Sequence, residues 1–140
     1  MPIGRTHHLI FDCPDPLALA TFYSRLLGQE ITYRDEDFAV VSTSDRASGL
    51  AFQRAPDHRP PTWPDPALPQ QLHLDVMVED VATARAAVLG LGATELPGPN
   101  VFADPARPPV LPDPPPTLGT ADPPRLNRWQ LSDDALERDQ

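Results

Sequence analysis

The chain has no lysine. All eleven of its basic residues are arginine, and twenty acidic residues outweigh them, giving a net charge of −9 over 140 residues. A surface this acidic argues against nucleic acid or anionic membrane as the main partner. A single cysteine, Cys13, excludes a disulfide framework and a cysteine-built zinc site. No apolar run approaches the ~20 residues that span a bilayer. The segment Met1–Arg5 lacks the basic start and apolar stretch of a signal peptide, so the expected location is cytoplasmic. Hydrophobic residues make up 40% of the chain, enough for a lean core in one domain or two small fused modules.

Proline is abundant instead: twenty residues, nine of them between Pro105 and Pro124 and six between Pro56 and Pro69. Proline removes a backbone donor and fixes φ, so neither stretch suits a helix interior or a central strand. The chain therefore divides into a unit over residues 1–106 and a Pro-rich irregular tail over 107–140. Within the first unit, module one spans 5–54, a linker 55–70, and module two 71–106.

The two modules begin alike. His8–Cys13 has strand character. Asp15 suits a helix N-cap and Pro16 the first helical position. Leu19, Phe22, Tyr23, Leu26 and Leu27 then mark one helical face, and Gly28 suits the C-terminal stop. Strand-like runs follow at Gln29–Arg34, Phe38–Thr43 and Gly49–Arg54. In module two, His73–Val78 reads as a strand and Asp80 as a cap. Val81, Ala84, Val88 and Leu91 form the helical face, and Gly92 ends it. Thr94–Leu96 and Asn100–Ala103 are short strand candidates. His8 falls on His73, Asp15 on Asp80 and Leu26 on Leu91 at a constant offset of 65 residues, a sequence-level repeat. The expected fold class is α+β: two tandem β-α-β-β-β modules with curved mixed sheets forming a cleft, the second lacking its last strand.

Three segments carry a resemblance. They are Asp12-Cys13-Pro14-Asp15-Pro16 with Phe22-Tyr23 and Leu26-Leu27-Gly28; His73-Leu74-Asp75-Val76 with Glu79-Asp80, Leu89-Gly90 and Gly92-Ala93; and Val101-Phe102-Ala103-Asp104-Pro105. Together they resemble the vicinal oxygen chelate superfamily, and within it the glyoxalase-like, bleomycin-resistance-type proteins of bacteria. The resemblance implies paired cups enclosing a pocket, and commonly a homodimer. In metal-using members the first and last strands of each module supply ligands to a divalent ion. The ion acts as a Lewis acid in lyases and isomerases or as an oxygen-activating centre in dioxygenases. Carried over, the ligand positions fall on His8, Gln53 and His73, while the fourth has no counterpart. Metal-free relatives of the bleomycin-resistance type sequester a small molecule instead. The resemblance thus covers an enzyme and a binding module, and the residues do not choose between them.

Plainer readings stand beside these. A histidine at a strand start is commonly structural. His7 and His58 read as surface residues, Cys13 as buried and inert, and Phe22 and Tyr23 as core. Trp63 either covers the pocket mouth, as a ligand-binding residue, or pins the linker. Asp35, Glu36 and Asp37 read as a hairpin tip. No nucleophile elbow, phosphate-cradling loop or dinucleotide fingerprint is present.

The composition changes at Arg107. Ala106–Pro112 can be encoded GCC CGG CCA CCC GTT CTG CCT. One base into the Arg107 codon, the same bases read Gly-His-Pro-Phe-Cys-Leu, the closing strand expected from the resemblance. The tail is thus compatible with one inserted base, which would leave module two open and the copy inactive.

Overall fold

The computed structural model describes residues 2–62, 64–69 and 72–106, and the backbone of Arg128–Asp133. The elements are β1 (His8–Cys13), α1 (Pro16–Leu27), β2 (Glu30–Arg34), β3 (Phe38–Ser42), β4 (Gly49–Arg54), β5 (Leu74–Val78), α2 (Val81–Gly90), β6 (Thr94–Glu95), β7 (Val101–Ala103) and β8 (Arg128–Asp133). The fold is α+β, with one helix and one curved mixed sheet in each module. The strand orders are β1-β4-β3-β2 and β5-β8-β7-β6, the same topology twice.

Local chemistry sets both helices. The Asp15 side chain accepts the Ala18 N–H at 3.1 Å, Pro16 opens α1, and Gly28 ends it at φ 63°. That left-handed conformation suits glycine, which has no Cβ to clash. Asp80 caps α2 in the same way, accepting from the Thr83 N–H at 2.8 Å.

The first core is aromatic. Leu19, Phe22 and Tyr23 from α1 are buried with Ala39 and Val41 of β3 and Phe52 of β4. The Phe52 ring lies 5.7 Å from Phe11 and 5.3 Å from Tyr23, nearly parallel to both. Such offset pairs add to the stabilisation from burial alone. Module two buries smaller groups: Val76, Val88 and Ala93, with Phe102. These residues and the first core form one continuous cluster.

Module two does not lack its last strand. β8 occupies that place, parallel to β5 from Leu74–Trp129 to Val78–Asp133 and antiparallel to β7 at Val101–Gln130. Residues 128–133 are therefore not an irregular tail. The Pro-rich stretch ends at Pro124, and Arg128-Trp129-Gln130-Leu131-Ser132-Asp133 alternates polar and apolar residues without proline. The expectation extended the proline argument past the prolines. Residues 107–112, where the shifted frame would place the strand, lie outside the described residues.

Candidate functional site

The concave face of the first sheet carries a cavity of about 700 Å³. Side chains alternate along a strand. Phe11 and Cys13 of β1 therefore pack toward α1, while His8 and Ile10 face the cavity. Phe38, Val40 and Ser42 of β3 form its opposite wall. A register shift between Ile31 and Tyr33 interrupts the alternation of β2, and both Thr32 and Tyr33 line the cavity. Loop residues His7, Asp35, Asp45 and Ala47 complete the rim. The volume falls within the range of small-molecule sites, ~300–1,000 Å³.

The expected site residues are placed unequally. His8 is on the cavity rim, its ring centroid 3.8 Å from that of His7. Its Nδ1 accepts the Gly49 N–H at 3.2 Å. In the neutral ring the hydrogen therefore sits on Nε2, which donates rather than ligates. Gln53 pairs with Asp12, whereas His8 pairs with Gly49, four residues back along β4. At ~3.3 Å per residue, His8 and Gln53 are about 13 Å apart along their strands, beyond what two ligands ~2 Å from one ion span. His73 is exposed and directly precedes β5. Among the described residues, no group of three His, Cys, Asp or Glu side chains is placed to hold a metal ion. The register does not bring this donor set to one point, and no step is routed through a metal. Trp63 lies outside the described residues.

Gly49, opposite His8, has no room for a side chain. A Cβ there would lie 2.1 Å from the Val41 carbonyl oxygen and 2.7 Å from Ser42 Cβ.

The cavity hydroxyls form a chain. Ser42 donates to the Ser44 carbonyl at 2.7 Å, so Thr32 donates to Ser42 across their 2.6 Å contact. Tyr33 Oη donates to Asp35 Oδ2 at 2.7 Å. Asp35 Oδ1 accepts the N–H groups of Asp37 and Phe38, both at 2.8 Å. The Tyr33 hydroxyl, followed by the Asp37 amide, holds the Asp35 carboxyl below its ordinary range. The carboxylate thus shapes the β2–β3 turn, as a hairpin-tip acid does. Arg54 secures the same turn through Asp37 at 3.2 Å and the Glu36 carbonyl at 2.7 Å.

A buried polar contact joins the modules. Tyr23 Oη donates to Asp104 Oδ2 at 2.7 Å, and the Ala106 N–H donates to Asp104 Oδ1 at 3.1 Å. Burial, then the Asp104 charge and hydrogen bond, push the Tyr23 hydroxyl well above its ordinary pKa. Burial, then the carboxylates of Asp104, Asp15 and Asp12, push the Cys13 thiol up to about 12, so it is inert near neutrality. Sequence reasoning placed Tyr23 and Cys13 in the core but missed Asp104. A tyrosine on an apolar helix face is a signal that a partner for its hydroxyl is needed. His58 is half-buried rather than on the surface, with Nε2 shielded from solvent.

A sequence profile described as a glyoxalase-like domain matches residues 8–115. No protein of curated function matches the chain by sequence. A glyoxalase/bleomycin resistance protein/dioxygenase family enzyme from Burkholderia phytofirmans PsJN has a similar structure. It is 14% identical with a TM-score of 0.62, covering 93% of this chain and 98% of that one. A glyoxalase-related enzyme from Fulvimarina pelagi is 13% identical with a TM-score of 0.57, covering 95% and 90%. The trypanothione-dependent glyoxalase I of Leishmania major is 14% identical with a TM-score of 0.54, covering 95% and 88%. At these identities the structural likeness establishes the shared fold. Among the described residues, no helix is long and apolar enough to cross a membrane.

Proposed function

We propose, since this chain belongs to the glyoxalase-like domain family, that it binds a small organic molecule in the cup of module one. The observation that carries this reading is the cavity of about 700 Å³, with Ile10 and Tyr33 half-exposed on its wall. Apolar groups left open to water inside a concavity gain by covering themselves with ligand. His8 lies on the rim as a hydrogen-bond donor. The domain over residues 1–106, with its linker 55–70 and the closing strand β8, is the unit of this activity, and its setting is the cytoplasm. A ligand for the native state raises stability by RT ln(1 + [L]/Kd). Small aromatic compounds should therefore raise the melting temperature, and Ile10→Trp, which takes up part of the cup, should reduce the shift. A shift unchanged by Ile10→Trp would place binding elsewhere.

A metal-dependent lyase, isomerase or dioxygenase is the second reading. What supports it is the sequence repeat alone, which heads each module with a histidine, His8 and His73, while the β1–β4 register holds Gln53 away from His8. Metal analysis of protein purified without chelator tests it: stoichiometric divalent metal that is lost in His73→Ala would establish it. An inactive copy is the third reading, and it requires that no ligand shifts the melting temperature.

We also propose a homodimer. Each sheet has an open edge at its first strand, with Leu9 and Ile10 on β1 and Met77 on β5 between 42% and 50% exposed. Unpaired edges of this kind invite pairing with another chain. The open edge is β1 or β5 rather than an absent closing strand. Sedimentation as a strict monomer at micromolar concentration would end this reading.

A further inference from the structure

We propose that the module-one cup selects a flat organic cation, a proposal that rests on the cup being the binding site. The first ground is the hydrogen-bond inventory. The hydrogens of the Ser42, Thr32 and Tyr33 hydroxyls are all spent within the protein, on Ser44, Ser42 and Asp35 in turn. Those groups can only accept further hydrogen bonds. The carboxylates of Asp35 and Asp45 on the rim also only accept. A ligand rich in N–H donors matches the free lone pairs of these oxygens, and the His8 Nε2–H on the rim is left for a single acceptor.

The second ground is charge. The cup lining contains two carboxylates and neither arginine nor lysine. Neither Asp35 nor Asp45 forms an ion pair among the described residues. The chain as a whole carries −9, so the surrounding field favours the same sign of ligand. The adjacent cavity of about 540 Å³ differs in that its acids have cations among them: Arg34 and Arg54 line it together with Asp15, Asp35, Glu36 and Asp37.

The third ground is shape. Tyr33 and Phe38 present rings 6.3 Å apart on one wall, and the His7 and His8 rings lie together on the rim. Aromatic faces attract cations and stack on flat rings. The Tyr33 ring is tied by its hydroxyl to an anion, which keeps electron density on the ring and holds it in place.

The test uses the full chain and three dyes of similar size: cationic proflavine, neutral anthracene-methanol and anionic anilinonaphthalene sulfonate. Binding is read by fluorescence titration. Proflavine should bind most tightly, and its affinity should fall as salt rises. Asp45→Asn should weaken proflavine on the order of tenfold and the neutral dye far less. Asp35→Asn should weaken proflavine as well, and because Asp35 also holds Tyr33 and the β2–β3 turn it is expected to lower the affinity for the neutral dye too. Ile10→Arg, on a half-exposed wall position that tolerates a long side chain, should reverse the preference in favour of the sulfonate. Equal binding of all three dyes, with no response to the aspartate variants, would overturn the charge selection but leave the cup as a binding site. Failure of every dye to bind would overturn both.

Discussion

Module one closes its sheet quickly and module two slowly. β3 and β4 are separated by residues 43–48, whereas β7 and β8 are separated by residues 104–127. The parallel partner of His8 lies 41 residues ahead at Gly49, while that of Leu74 lies 55 ahead at Trp129. Both modules nevertheless reach the same strand order. Loop closure depends only logarithmically on length, so a fourfold longer connection costs about 1.2 kcal/mol more. Topology here follows from capped helices and strand pairing, and connection length is a weak constraint. What differs is the packing, with an aromatic stack in one module and Phe102 among small aliphatic groups in the other.

Core truncation should expose that difference most strongly. Phe52→Ala removes the centre of the aromatic stack and should destabilise the chain by about 3–5 kcal/mol in urea unfolding. Val88→Ala in module two should lose about 1.6 kcal/mol from transfer alone. Equal losses at the two sites would erase the contrast between the cores.

Gln130→Pro addresses β8. Gln130 pairs with Asp75 on one side and Val101 on the other. A proline in a central strand removes a ladder hydrogen bond and leaves its carbonyl partner unpaired, which should cost about 1–3 kcal/mol. The β5 and β7 amides should then exchange faster, with the β1 and β4 amides protected as before. Unchanged exchange in β5 would show that 128–133 is not the closing strand in solution.

Tyr23→Phe is a smaller change at the junction. It deprives a buried carboxylate of one donor and should destabilise by about 1.5–3 kcal/mol. If the modules are coupled there, both should respond in hydrogen exchange. A response confined to module one would make Asp104 a local feature of β7.

The smallest effect is with pH. Cys13 rises from 9.0 to about 12 on folding, and Tyr23 rises from 10.0. In both cases the folded chain holds its proton where the unfolded chain releases it. This stabilisation is complete below pH ~9 and declines as pH rises toward the folded values. Melting temperature should be level up to about pH 9 and fall above it. In Cys13→Ala the decline should start about one unit higher, where Tyr23 begins to titrate. An onset unmoved by that substitution would remove Cys13 from the account.

Much of this was legible in the sequence. Asp15, Pro16 and Gly28 announced α1, and Asp80 announced α2, because caps are local chemistry. The repeat at 65 residues holds through both helices for the same reason. It fails at β8, because strand pairing is non-local and tolerates a long intervening segment. The cups followed from the family resemblance, but the lining of the cup was not legible. It depends on the β2 register shift that turns Thr32 and Tyr33 toward one cavity, and on Val40 and Ile10 meeting across the sheet. The separation of His8 from Gln53 was equally hidden, since it is set by the β1–β4 register. The inserted-base proposal is settled by the coding DNA: a second frame at Arg107 that does not read Gly-His-Pro-Phe-Cys-Leu would dismiss it.

The glycine facing His8 has a bearing on descent. With the Val41 carbonyl oxygen where a Cβ would stand, no codon change at position 49 can place a carboxylate beside that imidazole and leave the backbone as it is. A lineage in this conformation would have to move two strands apart before selection could act on a ligand at position 49. One close approach of main chain to main chain thus narrows the mutational routes toward metal chemistry at this end of the cup. Changes at Ile10, Asp45 or Phe38, all on the surface of the concavity, remain open to drift and selection.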